Sequence, residues 1–108
     1  MSAITTHVLD TSRGLPAAGI RVKLEIRFPD GAWNLLGKSV TDSDGRARNL
    51  LPEGTALTAA VYRLTFDNLP DAGLYPEVTV AFHVRDTARH YHIPLLLSAY
   101  GYTTYRGT

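Results

Sequence analysis

Apolar and polar residues alternate with a period of two along most of the chain. Between Ile20 and Phe28 the apolar set Ile20, Val22, Leu24, Ile26 and Phe28 interleaves with Arg21, Lys23, Glu25 and Arg27. Successive side chains of a strand point to opposite faces, so this segment reads as a strand with one face in a core and one in water. It ends at Pro29-Asp30-Gly31, where proline fixes φ and glycine tolerates a positive one. Val78, Val80, Phe82 and Val84 repeat the pattern against Glu77, Thr79, Ala81 and His83. Further strand-like runs are Ile4–Asp10, Trp33–Thr41, Val61–Phe66, Tyr91–Leu97 and Tyr102–Arg106. Turn signals separate them at Gly14 to Gly19, Asp44-Gly45, Pro52-Glu53-Gly54 and Asp67 to Gly73. Short strands with turns at this frequency predict an all-β chain folded as a two-sheet antiparallel sandwich. Ala56–Tyr62 has room for one short turn of helix at most, because β-branched Thr58 and Val61 work against it. No internal repeat, low-complexity tract or linker breaks the pattern, so residues 1–108 are expected to form a single domain.

Composition narrows the possibilities. A chain of 108 residues buries roughly 65% of the surface that its unfolded form exposes, enough for a core without staples. There is no cysteine, hence no disulfide, thiolate metal site or cysteine nucleophile. Eleven Lys and Arg against ten Asp and Glu leave a formal charge of +1, which argues against nucleic-acid binding through a broad basic face. No apolar run approaches the ~20 residues of a membrane span. The start, MSAITTHVLD, has neither the basic nor the apolar region of a secretory signal, so a cytoplasmic protein is expected. Charged residues make up 19% of the chain, below the ~25% usual for soluble domains. That shortfall fits a surface partly given over to subunit contacts.

Candidate chemistry rests on histidine and arginine. His7 shares a strand face with Thr5 and Leu9, while His90 and His92 lie two apart and leave their strand on one side. Histidine suits both general acid–base work and metal binding. Pro94 and Leu96 share the face of His92, and Leu95-Leu96-Leu97 is apolar on both sides, as in a strand covered twice. A neighbouring subunit is the simplest second cover, and spacing alone favours His92 as a surface or interface histidine without a catalytic task. Pro94 has no N–H and favours an edge or a bulge. Arg46 follows the Asp44-Gly45 turn; position alone favours an ordinary exposed arginine, as Arg48 also looks. A turn that fixes its planar fork would instead suit a carbonyl, an enolate or a carboxylate. The end, YGYTTYRGT, places Tyr102, Thr104 and Arg106 on one strand face and Thr103 and Tyr105 on the other. It is either an aromatic edge strand or part of a site. No phosphate loop, HExxH or G-x-S-x-G motif is present. A zinc site from His7, His90 and His92 would need a convergence that spacing cannot show.

Taken together, THVLDTSRGLPAAG, TDSDGR and HYHIPLLLSAYGYTTYRGT resemble, in order and over nearly the whole chain, the transthyretin-related 5-hydroxyisourate hydrolases. The closing tetrapeptide YRG plus a hydroxyl residue is the most specific of these signatures. It separates the hydrolases from transthyretin, a hormone carrier of the same fold. The resemblance implies an eight-strand, transthyretin-like (prealbumin-like) β-sandwich assembled as a homotetramer, a dimer of dimers, with active sites at the subunit interface. It implies hydrolysis of 5-hydroxyisourate to 2-oxo-4-hydroxy-4-carboxy-5-ureidoimidazoline, without metal or organic cofactor. The family's catalytic residues fall on His7, Arg46 and His92, and its terminal tetrapeptide on Tyr105, Arg106, Gly107 and Thr108. Tyr105, Arg106 and Thr108 are thereby expected to contact the substrate. Thr108 stands where the family usually has Ser and keeps the hydroxyl. A small-molecule carrier of the transthyretin type and a metal-binding sandwich are the alternatives. His7, Arg46, His92 and the YRG end speak against the carrier, which has no need of them.

Overall fold

A computed structural model describes residues 2–108. Nine strands follow in chain order: β1 (Ile4–Asp10), β2 (Leu15–Pro16), β3 (Arg21–Arg27), β4 (Trp33–Val40), β5 (Arg46–Ala47), β6 (Ala60–Phe66), β7 (Val78–Val84), β8 (Tyr91–Leu97) and β9 (Tyr102–Thr104). One sheet has the order β2-β1-β8-β9, with β5 also paired to β1; the other runs β4-β3-β6-β7. Every pairing is antiparallel but one: β1 and β8 lie side by side in parallel. No helix occurs among the described residues.

The alternation in the sequence becomes the core. Val22, Leu24 and Ile26 of β3 meet Leu64 and Phe66 of β6 and, across the sandwich, Ile4, Val8, Ile93, Leu95 and Leu97. The outward face of β3 is polar but not bare. Glu25 is buried and receives Arg63 Nε at 2.8 Å and Nη2 at 3.3 Å. That bond holds the Glu25 carboxyl below the usual carboxylate range. Arg63 in turn lies 4.1 Å over the Trp33 ring. Phe28 does not join the apolar row that alternation assigns it. Its N–H already bonds Ala32 in the turn and β3 has ended, so the side chain is exposed.

The short helix expected within Ala56–Tyr62 is absent, and β6 starts at Ala60. Thr58 spends its backbone groups on a side chain instead: its N–H reaches Tyr62 Oη at 3.1 Å, and that hydroxyl donates to its carbonyl at 2.8 Å. Pro94 is not on an edge strand, because β8 sits between β1 and β9. The pairings Leu95↔Thr104 and His92↔Gly107 put Pro94 opposite Tyr105, on the β9 side. The ladder lacks a rung there, and Thr104 Oγ1 covers the Pro94 carbonyl at 2.8 Å.

Candidate active site

Strand register gathers the site. β1 pairs Thr5 with His92 and His7 with Pro94 on one side, and His7 with Arg46 on the other. Paired residues of neighbouring strands point to the same face of a sheet. Thr5, His7, Arg46 and His92 therefore share the outer face of the first sheet, while Ile4, Val8, Tyr91 and Ile93 enter the core.

A tight loop delivers Arg46. Asp42 Oδ1 accepts the N–H groups of Asp44 at 2.9 Å and Arg46 at 3.0 Å. The Arg46 N–H is the main cause holding the Asp42 carboxyl below the usual range, and that of Asp44 adds to it. Gly45 turns the chain with φ +78°, and its carbonyl receives the Val8 N–H at 2.8 Å. A side chain there would put Cβ 2.5 Å from the Val8 carbonyl oxygen. The backbone on both sides of Arg46 is thus pinned to β1, the strand that carries His7.

His92 is held on several sides. Its Nδ1 lies 2.8 Å from Thr5 Oγ1, and the same hydroxyl lies 3.0 Å from Nε2 of His90. The two imidazoles are nearly parallel, with centroids 6.4 Å apart. Gly107 donates its N–H to the His92 carbonyl at 2.8 Å. Its Cα packs so closely that an added Cβ would stand 2.7 Å from His92 Cδ2 and 3.2 Å from Pro94 Cγ. Burial pushes His92 below the usual histidine range, and the Arg46 charge, then His90 and His7, push the same way. His7 Nε2 is buried without a hydrogen-bond partner among the described residues.

A pocket of about 320 Å³ opens on this face, lined by Thr5, Thr6, Arg46, Arg48, His90, His92 and Thr108. Of the residues expected at the site, Arg46, His92 and Thr108 line it, and His7 stands beside Arg46 in register. Tyr105 and Arg106 do not line it. Tyr105, opposite Pro94, is exposed on the outer-face side of the chain end, while Arg106 borders the gap toward β7, where its guanidinium lies 4.2 Å over the Tyr91 ring and reaches the His90 carbonyl at 3.3 Å. Arg106 lies opposite Ile93 in register, and so on the side of the sheet that faces the other sheet, though it is itself exposed at the rim. Four lining residues were not legible as such: Thr5, Thr6, His90 and Arg48, the last 3.7 Å from Asp42. Period two gave the signal for Arg48, since residues two apart share a side. Among the described residues, no three of His, Cys, Asp and Glu converge to hold a metal ion.

The sequence profile of the HIUase/Transthyretin family matches residues 4–107. The chain is 41% identical to 5-hydroxyisourate hydrolase of Salmonella dublin, over 97% of its own length and 80% of the relative's. It is 40% identical to the Arabidopsis thaliana uric acid degradation bifunctional protein TTL, of which it spans 37%. Among solved structures, sea bream transthyretin in complex with thyroxine superposes with a TM-score of 0.87 at 31% identity, over 99% of this chain and 96% of that one. The Klebsiella pneumoniae 5-hydroxyisourate hydrolase gives 0.80 at 29%, over 97% and 98%.

Proposed function

The chain belongs to the HIUase/Transthyretin family, and on that premise we propose that it hydrolyses 5-hydroxyisourate to 2-oxo-4-hydroxy-4-carboxy-5-ureidoimidazoline in urate breakdown. Its similarity to the Salmonella and Klebsiella hydrolases supports the reading. The observation that carries it is the shared face on which His7, Arg46 and His92 meet beside an open pocket.

Opening a ring acyl C–N bond consumes one water. Its oxygen adds to the ring carbonyl carbon, a base takes its proton, and the carbonyl oxygen carries negative charge until the C–N bond breaks. The proton then leaves with the ring nitrogen, and the acyl carbon ends as a carboxyl group. His92 is the base: its Nδ1 is engaged by Thr5, while Nε2 has no partner among the described residues. Its lowered proton affinity keeps it neutral near pH 7. His7, whose buried Nε2 has no partner among the described residues, is the second proton-transfer group. Arg46 orients the substrate and stabilises the oxyanion, with the Arg48 charge on the same pocket wall. Thr108 closes the pocket. Arg106 serves it by anchoring the chain end, which keeps Gly107 against the His92 ring, and Tyr105 stands exposed beside it.

The working unit is a homotetramer, a dimer of dimers, in the cytoplasm. Supporting the assembly are the low charged fraction and the apolar residues on the face that carries the histidines. A carrier of the transthyretin type is the second reading, favoured by the likeness to the thyroxine complex. The polar lining of this pocket speaks against it. The test is to generate 5-hydroxyisourate with urate oxidase and follow its ultraviolet decay. Acceleration by the protein, absent in a His92→Asn variant, is expected. No acceleration, together with saturable binding of an apolar ligand, would establish the carrier instead.

A further inference from the structure

We propose that Thr5 and His90 are positioning residues for the hydrolysis: the Thr5 hydroxyl accepts the Nδ1–H of His92 and donates its own proton to His90 Nε2, which fixes the His92 tautomer whose Nε2 lone pair faces the pocket. The proposal rests on the reading of His92 as the base.

Thr5 Oγ1 stands 2.8 Å from His92 Nδ1 and 3.0 Å from His90 Nε2. A hydroxyl has one proton to give, so it can donate to only one of the two rings. Its two lone pairs could accept from both rings at once, but the hydroxyl proton would then have no acceptor among the described residues, so two directed chains use the group fully. In the first, His92 Nδ1–H donates to Thr5 and Thr5 donates to His90, which leaves His92 Nε2 as an acceptor. In the second, His90 Nε2–H donates to Thr5 and Thr5 donates to His92 Nδ1, which puts the proton on His92 Nε2 and blocks it as a base.

The pocket favours the first chain. Arg46 and Arg48 line it with His92, and a cationic wall is better faced by a nitrogen lone pair than by an N–H. The ring is also held against rotation. A flip about Cβ–Cγ would exchange Nδ1 and Cδ2, losing the Thr5 bond and turning the wrong edge toward Gly107. Thr5 itself is buried in β1 between β8 and β5, with a β-branched side chain confined in χ1. His90 is exposed and supplies only the acceptor that ends the chain.

The tautomer is directly readable. Long-range ¹⁵N–¹H spectra of the full chain, above the pH at which His92 takes up a second proton, distinguish protonated from lone-pair ring nitrogens. The expected wild-type result is a protonated Nδ1 and a lone-pair Nε2 at His92. Thr5→Val keeps the shape and removes the hydroxyl. It should move the proton toward Nε2 and lower kcat by about 10–100-fold, with KM little changed. Thr5→Ser, which restores the hydroxyl, should recover both the tautomer and most of the lost turnover. His90→Leu should act like Thr5→Val, whereas His90→Gln offers an acceptor oxygen and should act like Thr5→Ser. A wild-type His92 carrying its proton on Nε2 would overturn the proposal. So would a folded Thr5→Val protein with unchanged tautomer and turnover. The spectra need no substrate, so failure of the hydrolase reading would show separately, as absent turnover in a wild-type protein with the expected tautomer.

Discussion

At the scale of single residues, His92 is defined as much by what holds it as by what it is. Its burial and the Arg46 charge disfavour the imidazolium. Sequence alone puts the acid limb of activity near the ordinary histidine value of about 6.5. The structure moves it lower, because a depressed proton affinity keeps the base neutral in more acid solution. The acid midpoint of a kcat/KM profile should thus lie below 6.5; a midpoint above 6.5 would exclude His92 as the base. His92→Asn should cost about 10²–10⁴-fold in turnover while leaving the assembly intact, the span that a positioned general base contributes. Gly107 offers a subtler test. Gly107→Ala puts a methyl 2.7 Å from His92 Cδ2, so the ring must move. Turnover should fall by about tenfold or more with little change in melting temperature, and an unaltered rate would show that the ring tolerates the shift. That His7, Arg46 and His92 form one site is an expectation from resemblance. Their convergence was not legible in the spacing, because it depends on a register between strands more than eighty residues apart in sequence.

At the scale of elements, alternation located the long strands to within a residue or two, since it reflects burial on one face. It missed what depends on distant partners. β2 and β5 are two residues each and exist only because β1 lies beside them. The parallel pairing of β1 and β8 joins opposite ends of the chain and has no local signature. The helical composition at Ala56–Tyr62 lost to the hydrogen bonds between Thr58 and Tyr62. Nor did β4 show its dependence on Gly37, where pairing with β3 shifts register between Leu24 and Glu25. An added Cβ at Gly37 would lie 1.8 Å from the Leu50 carbonyl oxygen, a backbone atom that cannot simply rotate away. Gly37→Ala should therefore destabilise the protein by about 1–3 kcal/mol, as overpacking typically does. At fixed protein concentration that is a fall of about 4–8 °C in melting temperature per kcal/mol. Turnover per folded chain should be unchanged, because β4 belongs to the other sheet. An unaltered melting temperature would mean that the Leu50 segment moves freely.

For the whole molecule, the outer face of the first sheet divides into two ends. One holds Thr5, His7, Arg46 and His92. The other holds Leu9 paired with Leu96, and Pro16 beside Leu9. Leu9 and Leu96 are only half-buried within one chain although both lie in the middle of the sheet. A second copy laid on this face would cover the apolar end and wall in the histidine pocket at once, coupling assembly to activity. Leu96→Glu separates the two contributions. Its side chain points away from the core of its own chain, so the fold should survive with a near-native melting profile. A carboxylate placed there would nevertheless have to be desolvated in the interface, at a cost of several kcal/mol unless paired. Native mass spectrometry should then show the wild-type protein at four chain masses and the variant at two. Turnover should drop in proportion to the tetramer lost and return at high protein concentration, where mass action restores the interface. A Leu96→Glu protein that remains tetrameric would place the subunit contact on another face. A dissociated variant with full activity would make the pocket complete within fewer copies of the chain.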